Sequence, residues 1–302
     1  MAIEYLAGTD ARMFPQCFML LQSFEEAGAP TTLRICDFGL SAGQRRFLAS
    51  RGQLATATPG VPKHLKDPWY HKAALVDFGS RNAAAYVWLD ADMVVLTDPR
   101  PLVAAILDEM GRSGEVIAVS PDAERFGVGD FLAKYGGQGA DVTPFGRLLT
   151  QFQIPPHLLY LNSGFFIGAS RRWLKDWKKT TFETPPHMLF EQNAFNVTAW
   201  RSPESVRILD PRQWNVHGDE IGALSAAGTG GAMTCSGVPA VVLHATSELG
   251  KHHERVSINW ALSGRTLPVT LKLFRAPALR ALQTGLFTRF VDQNAEALAK
   301  YL

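Results

Sequence analysis

The sequence has few cysteines, little net charge and no long apolar run, and each shortage excludes a class of protein. Cys17, Cys36 and Cys235 form neither a disulfide framework nor a paired zinc pattern, which favours a reducing, cytoplasmic location. The net charge of +2 is too small for a nucleic-acid-binding domain, so no nucleic-acid partner is expected. Charged residues or prolines interrupt every apolar run well before about 18 residues, so no transmembrane helix is expected. The first residues also lack the basic start and apolar run of a secretory signal peptide.

What the sequence does contain is the alternation of an α/β fold. Short β-rich runs are predicted as strands at 3–7, 33–36, 86–89, 116–119, 165–167 and 241–243. Amphipathic segments between them are predicted as helices at 15–26, 41–51, 69–78, 102–110 and 189–200. Two glycine-rich segments, 135–139 and 228–231, are predicted as loops. This order favours a mostly parallel, Rossmann-like central sheet flanked by helices, whose ligand sites lie beyond the carboxyl ends of the strands.

The strongest chemical signal is a pair of carboxylates at the end of a predicted strand. The apolar residues 86–89 are followed directly by Asp90, Ala91 and Asp92. Side chains alternate along an extended chain, so the two aspartates point to the same side if the strand geometry continues. Two like charges this close repel unless a cation lies between them, and carboxylate oxygens suit Mg²⁺ or Mn²⁺. An isolated Asp-x-Asp more often marks a solvated turn, but the buried strand before this pair favours a metal site.

The same segment resembles a known protein family. The string LDADMVVLTDP, which ends at Pro99, is similar to the metal-binding strand of family 8 glycosyltransferases, which are retaining enzymes of the GT-A fold that use UDP-sugars. Further segments resemble family motifs in the same order: LAGTDARMFPQCFMLLQS from Leu6, LNSGFFIG from Leu161, EQNAFN from Glu191 and VLHATSELGK from Val242. The shared order of these segments, more than any one of them, carries the resemblance.

The resemblance implies donor and metal contacts at the matching positions. It implies that Asp90, Asp92 and His244 bind the metal, Mn²⁺ or Mg²⁺. Contacts to the UDP-sugar are implied for the following residues: Ala7, Thr9, Asp10, Lys72, Asp90, Ala91 and Lys251. The first three are expected near the uridine and the two lysines near the diphosphate.

The resemblance also implies catalytic residues. Asn162 is expected in the sugar region, and Gln192, with Glu191 before it, beside the reacting anomeric carbon. The family often has aspartate before its glutamine, so Glu191 keeps the charge but changes the reach by one methylene. It also often continues its Gly-Lys with Pro-Trp, where this chain has His252 and His253. That departure concerns the acceptor side of the site.

Each of these residues also has a purely structural interpretation. A lone histidine at a strand end, such as His244, is more often a structural residue than a ligand. Lys72 fits an ordinary solvated lysine equally well. Amides such as Asn162 and Gln192 commonly satisfy buried backbone groups. The functional interpretation therefore rests on the resemblance.

The predicted function is transfer of a hexose, with UDP-glucose or UDP-galactose favoured, to a hydroxyl of a glycan or lipid-linked acceptor. A haloacid-dehalogenase-type phosphatase is an alternative, because an apolar strand followed by Asp-x-Asp also occurs there, with Asp90 as the nucleophile; that motif normally opens its domain. A nucleotidyltransferase also uses carboxylates but normally carries a glycine-rich, basic loop near its amino terminus, which residues 7–14 are not. A non-catalytic sugar-nucleotide-binding protein of the same fold is the third alternative.

Two domains are predicted, a catalytic GT-A domain at 1–264 and an amphipathic, basic, helical tail at 265–302. In the tail, apolar residues are interleaved with Lys272, Arg275, Arg280 and Arg289. Such a helix can lie on an anionic membrane surface without spanning it, so a peripheral membrane contact is predicted. The alternative is that the same apolar residues pack on the catalytic domain, which is the commoner role of amphipathic helices.

Overall fold

The computed structural model describes residues 2–28, 33–56, 61, 67–122, 125–226, 232–246, 251–262 and 265–302. Within these ranges the strands are β1 Ile3–Thr9, β2 Leu33–Asp37, β3 Leu54–Ala55, β4 Ala85–Leu89, β5 Met93–Val95, β6 Ile117–Pro121, β7 Leu161–Gly168, β8 Val206–Ile208, β9 Leu224–Ala226, β10 Met233–Cys235, β11 Val238–Pro239, β12 Val242–His244, β13 His253–Leu262 and β14 Arg265–Phe274. The helices are α1 Cys17–Glu26, α2 Ala42–Ser50, α3 Pro68–Ala73, α4 Arg100–Ser113, α5 Val128–Gly137, α6 Thr143–Gln151, α7 Arg171–Glu183, α8 Phe190–Trp200, α9 Pro211–Trp214, α10 Pro277–Gln293 and α11 Ala295–Tyr301. None of these described helices is long and apolar enough to cross a membrane.

A seven-stranded sheet forms the centre of the molecule, in the order β3-β2-β1-β4-β7-β6-β8. Four of its strand pairs are parallel: β1 with β2, β1 with β4, β2 with β3 and β6 with β8. Strand β7 runs antiparallel to both of its neighbours, β4 and β6. The predicted mostly parallel α/β sheet is therefore confirmed, with one reversed strand inside it.

The sheet is buried on both faces, and strand β4 shows how its sequence achieves this. Val87 and Leu89 join an apolar cluster that includes residues of α1 and α10. Tyr86 and Trp88 join a second cluster that includes residues of α7 and α8. Because successive side chains of a strand point to opposite faces, a strand covered on both sides needs an uninterrupted apolar run. The molecule is therefore layered as helices, sheet and helices.

Beyond the carboxyl end of β4 the chain enters a small second sheet. The Asp90 N–H donates to the Gly164 carbonyl at 2.9 Å, and the Met93 N–H then donates back to the Asp90 carbonyl at 3.1 Å. The two aspartates therefore lie in a turn. The sequence argument had assumed instead that the strand continues through them. Strand β5 follows and pairs antiparallel with β12, which sets His244 opposite Met93.

The carboxyl-terminal segment packs into the main core. Strands β13 and β14, which lie on either side of the predicted boundary between 264 and 265, pair with each other along their length. In α10, Phe287 and Phe290 stack on Phe18 of α1, with ring centroids 5.8 and 4.5 Å apart. The predicted helical extension is confirmed for α10 and α11. It is preceded by β14, in which burial of every second residue, Val269, Leu271 and Leu273, is the pattern of a strand.

The groups required for the predicted membrane contact are engaged within the chain. Leu282 is partly buried. The other apolar residues of that prediction are buried: Leu271, Leu273, Phe274, Leu279, Leu286, Phe287 and Phe290. The basic ones form ion pairs: Lys272 with Asp92, Arg275 and Arg280 with Glu254, and Arg289 with Glu26. Membrane contact stays a prediction, and the packing of these residues is the alternative given above.

One predicted loop is wrong and another lies outside the described residues. The segment 135–139 is predicted as a loop, but α5 extends to Gly137. Val128 and Phe131 bury one face of this helix, so packing outweighs the loss of helix propensity at Gly136 and Gly137. The second predicted loop, 228–231, lies outside the described residues.

Candidate active site

Asp90, Asp92 and His244 meet at the carboxyl edge of β4. The His244 Nε2 lies 3.2 Å from Asp92 Oδ1 and 3.8 Å from Asp90 Oδ2. One ligand atom from each of the three residues lies within 4.8 Å of the other two. Two carboxylate oxygens and one imidazole nitrogen at this spacing form a donor set that suits Mn²⁺ or Mg²⁺.

A chain of amides orients His244 for this role. The His244 Nδ1 lies 2.9 Å from Asn215 Oδ1, and the Asn215 amide nitrogen donates to Asn162 Oδ1 at 3.0 Å. Because Asn215 presents its oxygen to the ring, we assign the imidazole proton to Nδ1. The lone pair of Nε2 is then directed at the aspartates, as a metal ligand requires. The residues of the cluster therefore fit a divalent cation.

Gly164 on β7 leaves room for the histidine ring. A Cβ built on Gly164 lies 2.3 Å from His244 Cε1 and 2.8 Å from Asn162 Oδ1. The Asn162 Oδ1 also accepts the Gly164 N–H at 2.9 Å, and its amide nitrogen donates to Asp122 at 3.1 Å. Asn162 therefore holds the residues that position His244, and it also lines the cavity.

Lys72 adds a fixed positive charge at Asp90. Its Nζ lies 3.0 Å from Asp90 Oδ1, 3.1 Å from Ser163 Oγ and 3.6 Å from Glu191 Oε2. Burial lowers the pKa of Lys72, but the carboxylates of Asp90 and Glu191 outweigh burial and hold that pKa above its ordinary value. Lys72 is buried, so it is not the solvated surface lysine of the structural interpretation.

Glu191 and Gln192 stand in the first turn of α8, next to Lys72. Burial raises the pKa of Glu191 to about 7, although Lys72 opposes the rise. Its Oε1 has no hydrogen-bond partner among the described residues. Gln192 accepts the Ser163 N–H at 3.3 Å and lines the cavity. The catalytic roles given to these residues by the resemblance stay predictions.

Asp92 is held by a lysine that the sequence argument missed. The Lys272 Nζ, from β14, lies 2.5 Å from Asp92 Oδ2. Burial raises the pKa of Asp92, but the charge of Lys272 and the contact with His244 outweigh burial and hold that pKa below its ordinary range. Lys272 follows Asp92 by 180 positions and belongs to none of the recognised motifs. No sequence signal points to it, because the contact exists only once β14 has folded onto the core.

The cluster opens onto a cavity of about 1210 Å³, which is ample for a nucleotide-sugar. The predicted site residues that line it are Thr9, Asp10, Lys72, Asp90, Ala91, Asp92, Asn162, Glu191, Gln192 and His244. Two predicted donor contacts are not in this lining. Ala7 is buried inside β1, and the Lys251 Nζ lies 2.7 Å from Asp219 Oδ1.

The fold has solved counterparts among glycosyltransferases. The chain is similar to the galactosyltransferase LgtC, solved with donor and acceptor sugar analogues, at 15% identity over 96% of this chain and 95% of LgtC, with a TM-score of 0.57. It is also similar to the bifunctional glycosyltransferase WbbM, at 12% identity over 82% of this chain and 46% of WbbM, with a TM-score of 0.53. No protein-family model and no curated protein matches the sequence. The resemblance to family 8 is thus confirmed at the level of fold: the chain has the GT-A fold of solved glycosyltransferases.

Proposed function

We propose that this chain is a metal-dependent glycosyltransferase that uses a UDP-sugar donor. The observation that supports this most strongly is the convergence of Asp90, Asp92 and His244 beside a large cavity at the carboxyl edge of a GT-A sheet. In open α/β sheets this edge is where ligands bind. The solved structures that the chain is similar to are glycosyltransferases, which favours this proposal over a haloacid-dehalogenase-type phosphatase.

Asp90, Asp92 and His244 would hold the cation, and a divalent ion there would supply stabilisation of the negative charge that grows on the donor's diphosphate as the glycosidic bond breaks. Lys72 adds to that stabilisation from the Asp90 side. Because Asp90, Ser163 and Glu191 all contact its ammonium group, Lys72 is already oriented before any charge develops. Such preorganised groups need no rearrangement in the transition state.

On the sugar side, Gln192 and Asn162 line the same cavity. We assign Gln192 to the orientation of the sugar at its anomeric carbon and Asn162 to its hydroxyl groups. The carboxylate of Glu191 faces Lys72 and Ser163, which makes it a positioning group for the lysine. The acceptor hydroxyl, from a glycan or a lipid-linked sugar, then approaches on the face that the diphosphate leaves, with retention of configuration.

Turnover of a panel of UDP-sugars tests the proposal. With Mn²⁺ and UDP-glucose or UDP-galactose, the wild type should release UDP, and excess chelator should stop the release. Asp90→Asn, Asp92→Asn and His244→Ala should each lower it at least about 100-fold, since each removes one ligand of the shared ion. Asp98→Asn is the matched control, because Asp98 pairs with Arg100 and is not among the cavity residues.

The alternatives give different products in the same assay. Phosphate released from simple esters, without UDP release from any sugar, would support a phosphatase and refute the proposal. UDP-sugar binding without turnover of any donor or acceptor would support a non-catalytic binding protein. Near-normal turnover of Asp92→Asn at limiting Mn²⁺ would remove that residue from the metal site.

A further inference from the structure

Two lysines contact the candidate metal-binding residues, one at each aspartate. Lys72 contacts Asp90, and Lys272 contacts Asp92 Oδ2 at 2.5 Å. Lys72 is also held by Ser163 and Glu191, whereas Asp92 is the one ion-pair partner found for Lys272 among the described residues. About a fifth of the Lys272 side chain is exposed, and it lines the cavity.

The backbone of Lys272 is fixed, so only its side chain is able to reorient. The Lys272 N–H donates to Gln16 Oε1 at 2.7 Å. Its carbonyl accepts from the amide nitrogens of Gln16 at 3.2 Å and Gln283 at 3.3 Å. Both glutamines are buried. These bonds dock β14 against the start of α1 and against α10, and they aim position 272 at the cluster.

A bound cation and the Lys272 ammonium compete for the same carboxylate. The Asp92 Oδ1 faces His244 while Oδ2 faces Lys272, so both oxygens of Asp92 are engaged. A divalent ion held by Asp92 and His244 repels an ammonium group at this distance. A displaced ammonium would stay tethered to the cavity wall, where the diphosphate of the proposed donor would be a new anionic partner. A lysine suits that anion because it is a compact charge with three donors.

Lys251, one of the two lysines that the resemblance assigns to the diphosphate, lies outside the cavity lining. Its Nζ contacts Asp219 at 2.7 Å, and its side chain is 54% exposed. It is not among the cavity residues.

We propose that Lys272 is a second diphosphate-binding lysine of this site, beside Lys72, and that it pairs with Asp92 until a cation takes that carboxylate. The inference rests on the proposed function, since it requires a donor diphosphate beside the cluster.

Calorimetric titration of Mn²⁺ alone, and then of UDP at saturating Mn²⁺, tests the inference without any turnover. Lys272→Met should bind Mn²⁺ about three- to tenfold more tightly, because the competing ammonium is gone, and UDP at least about tenfold more weakly, because a charged hydrogen bond is lost. Lys272→Gln, a second neutral variant, should behave in the same way. Lys272→Arg should keep UDP affinity within a few-fold, and Lys251→Met should lose less UDP affinity than the neutral Lys272 variants. Lys179→Met is the matched control and should leave both affinities unchanged, because Lys179 is exposed, pairs with Glu183 and is not among the cavity residues.

Opposite changes in the two affinities separate this role from a structural one. If Lys272→Met and Lys272→Gln lose Mn²⁺ and UDP affinity together, without rescue by arginine, the inference is overturned. A larger loss of UDP affinity in Lys251→Met than in the Lys272 variants also overturns it and returns the role to Lys251. Absence of Mn²⁺-dependent UDP binding in the wild type refutes the proposed function itself. Thermal unfolding with and without Mn²⁺ checks that the variants fold. Addition of Mn²⁺ should raise the melting temperature of the neutral variants more than that of the wild type.

Discussion

Gln192 is the residue at which binding and chemistry should separate. Gln192 lines the cavity, and we assign it to the sugar and not to the diphosphate. Interactions with the reacting carbon count chiefly in the transition state, so Gln192→Ala should lower kcat about 10- to 100-fold. UDP affinity should stay within about twofold. Steady-state kinetics with UDP titration measure both, and a large loss of UDP affinity at unchanged kcat would remove Gln192 from this role.

Glu191 should make stability depend on pH in a direction opposite to that of a carboxylate whose pKa is lowered by its partners. Burial raises its pKa from 4.5 to about 7. Between these values the folded chain keeps a proton that the unfolded chain has released. The protonated Glu191 side chain therefore stabilises the fold fully below pH 4.5. This stabilisation, about 3 kcal/mol in the free energy of unfolding, is lost as the pH rises through 7.

Glu191→Gln removes this dependence, because the amide does not titrate. The stability of the variant relative to the wild type should rise between about pH 5 and pH 7.5 and then stay level. Urea unfolding in the presence of chelator measures it. A difference between the two proteins that is constant across this window, or that shrinks with pH, contradicts the assignment.

The residues of the site differ in how visible they are in the sequence. Asp90 and Asp92 stand directly after a buried strand, where a carboxylate pair is unexpected without a cation, and His244 ends another apolar run. Asn215 and Lys272 carry no such signal, because an amide and a lysine are common anywhere on a surface. Their roles follow from contacts with Asp92 and His244 that only the tertiary structure creates.

At the scale of elements, the positions of the central buried strands and of the helices between them were predictable, but strand direction was not, and the strand β14 was predicted as part of a helical tail. Buried strands β1, β2 and β4 follow from their apolar runs, and the helices between them from their periodicity. Strand β7 reads as an equally apolar run, yet it is antiparallel to β4 and β6. A run buried on both faces carries no information about direction, which is set by the connections. Helix α5 was missed because a glycine pair at its end suggested a loop.

Strand β7 also offers a test of how closely the fold is fitted to the cluster. In Gly164→Ala the new methyl group would overlap the His244 ring, so the ring must shift or the strand must move. We expect Mn²⁺ affinity to fall at least about tenfold, with a stability loss of about 1–3 kcal/mol from overpacking.

Gly168→Ala on the same strand is the matched control. Its Cβ would meet Leu174 at 3.4 Å, which is an ordinary contact. This variant should keep the Mn²⁺ affinity of the wild type. Equal Mn²⁺ affinity in both variants would mean that Gly164 does not set the position of His244.

At the scale of the whole molecule, the carboxyl-terminal segment and the amino-terminal helix share one core. Phe290 is fully buried and stacks on Phe18, with Phe47 also in contact. Phe290→Ala should therefore lower the free energy of unfolding by about 3–5 kcal/mol. Leu102→Ala is the control, since Leu102 is exposed and should cost less than about 0.5 kcal/mol. Similar small losses in both variants would show that α10 is dispensable for the core.

The same packing links the two ends of the chain to the site. Gln16 and Gln283 hold β14, and β14 brings Lys272 to Asp92. A site assembled from residues this far apart in sequence depends on the complete core, and this is why the sequence pointed to Asp90, Asp92 and His244 but not to Lys272.

The most direct test of the central claim is the anomalous diffraction of Mn²⁺ in crystals of the chain grown with MnCl₂ and UDP. The account predicts one strong manganese peak about 2.0–2.3 Å from oxygens of Asp90 and Asp92 and from His244 Nε2, with the UDP diphosphate completing the coordination. A UDP molecule bound without manganese at these three residues, or manganese bound elsewhere in the cavity, would contradict it.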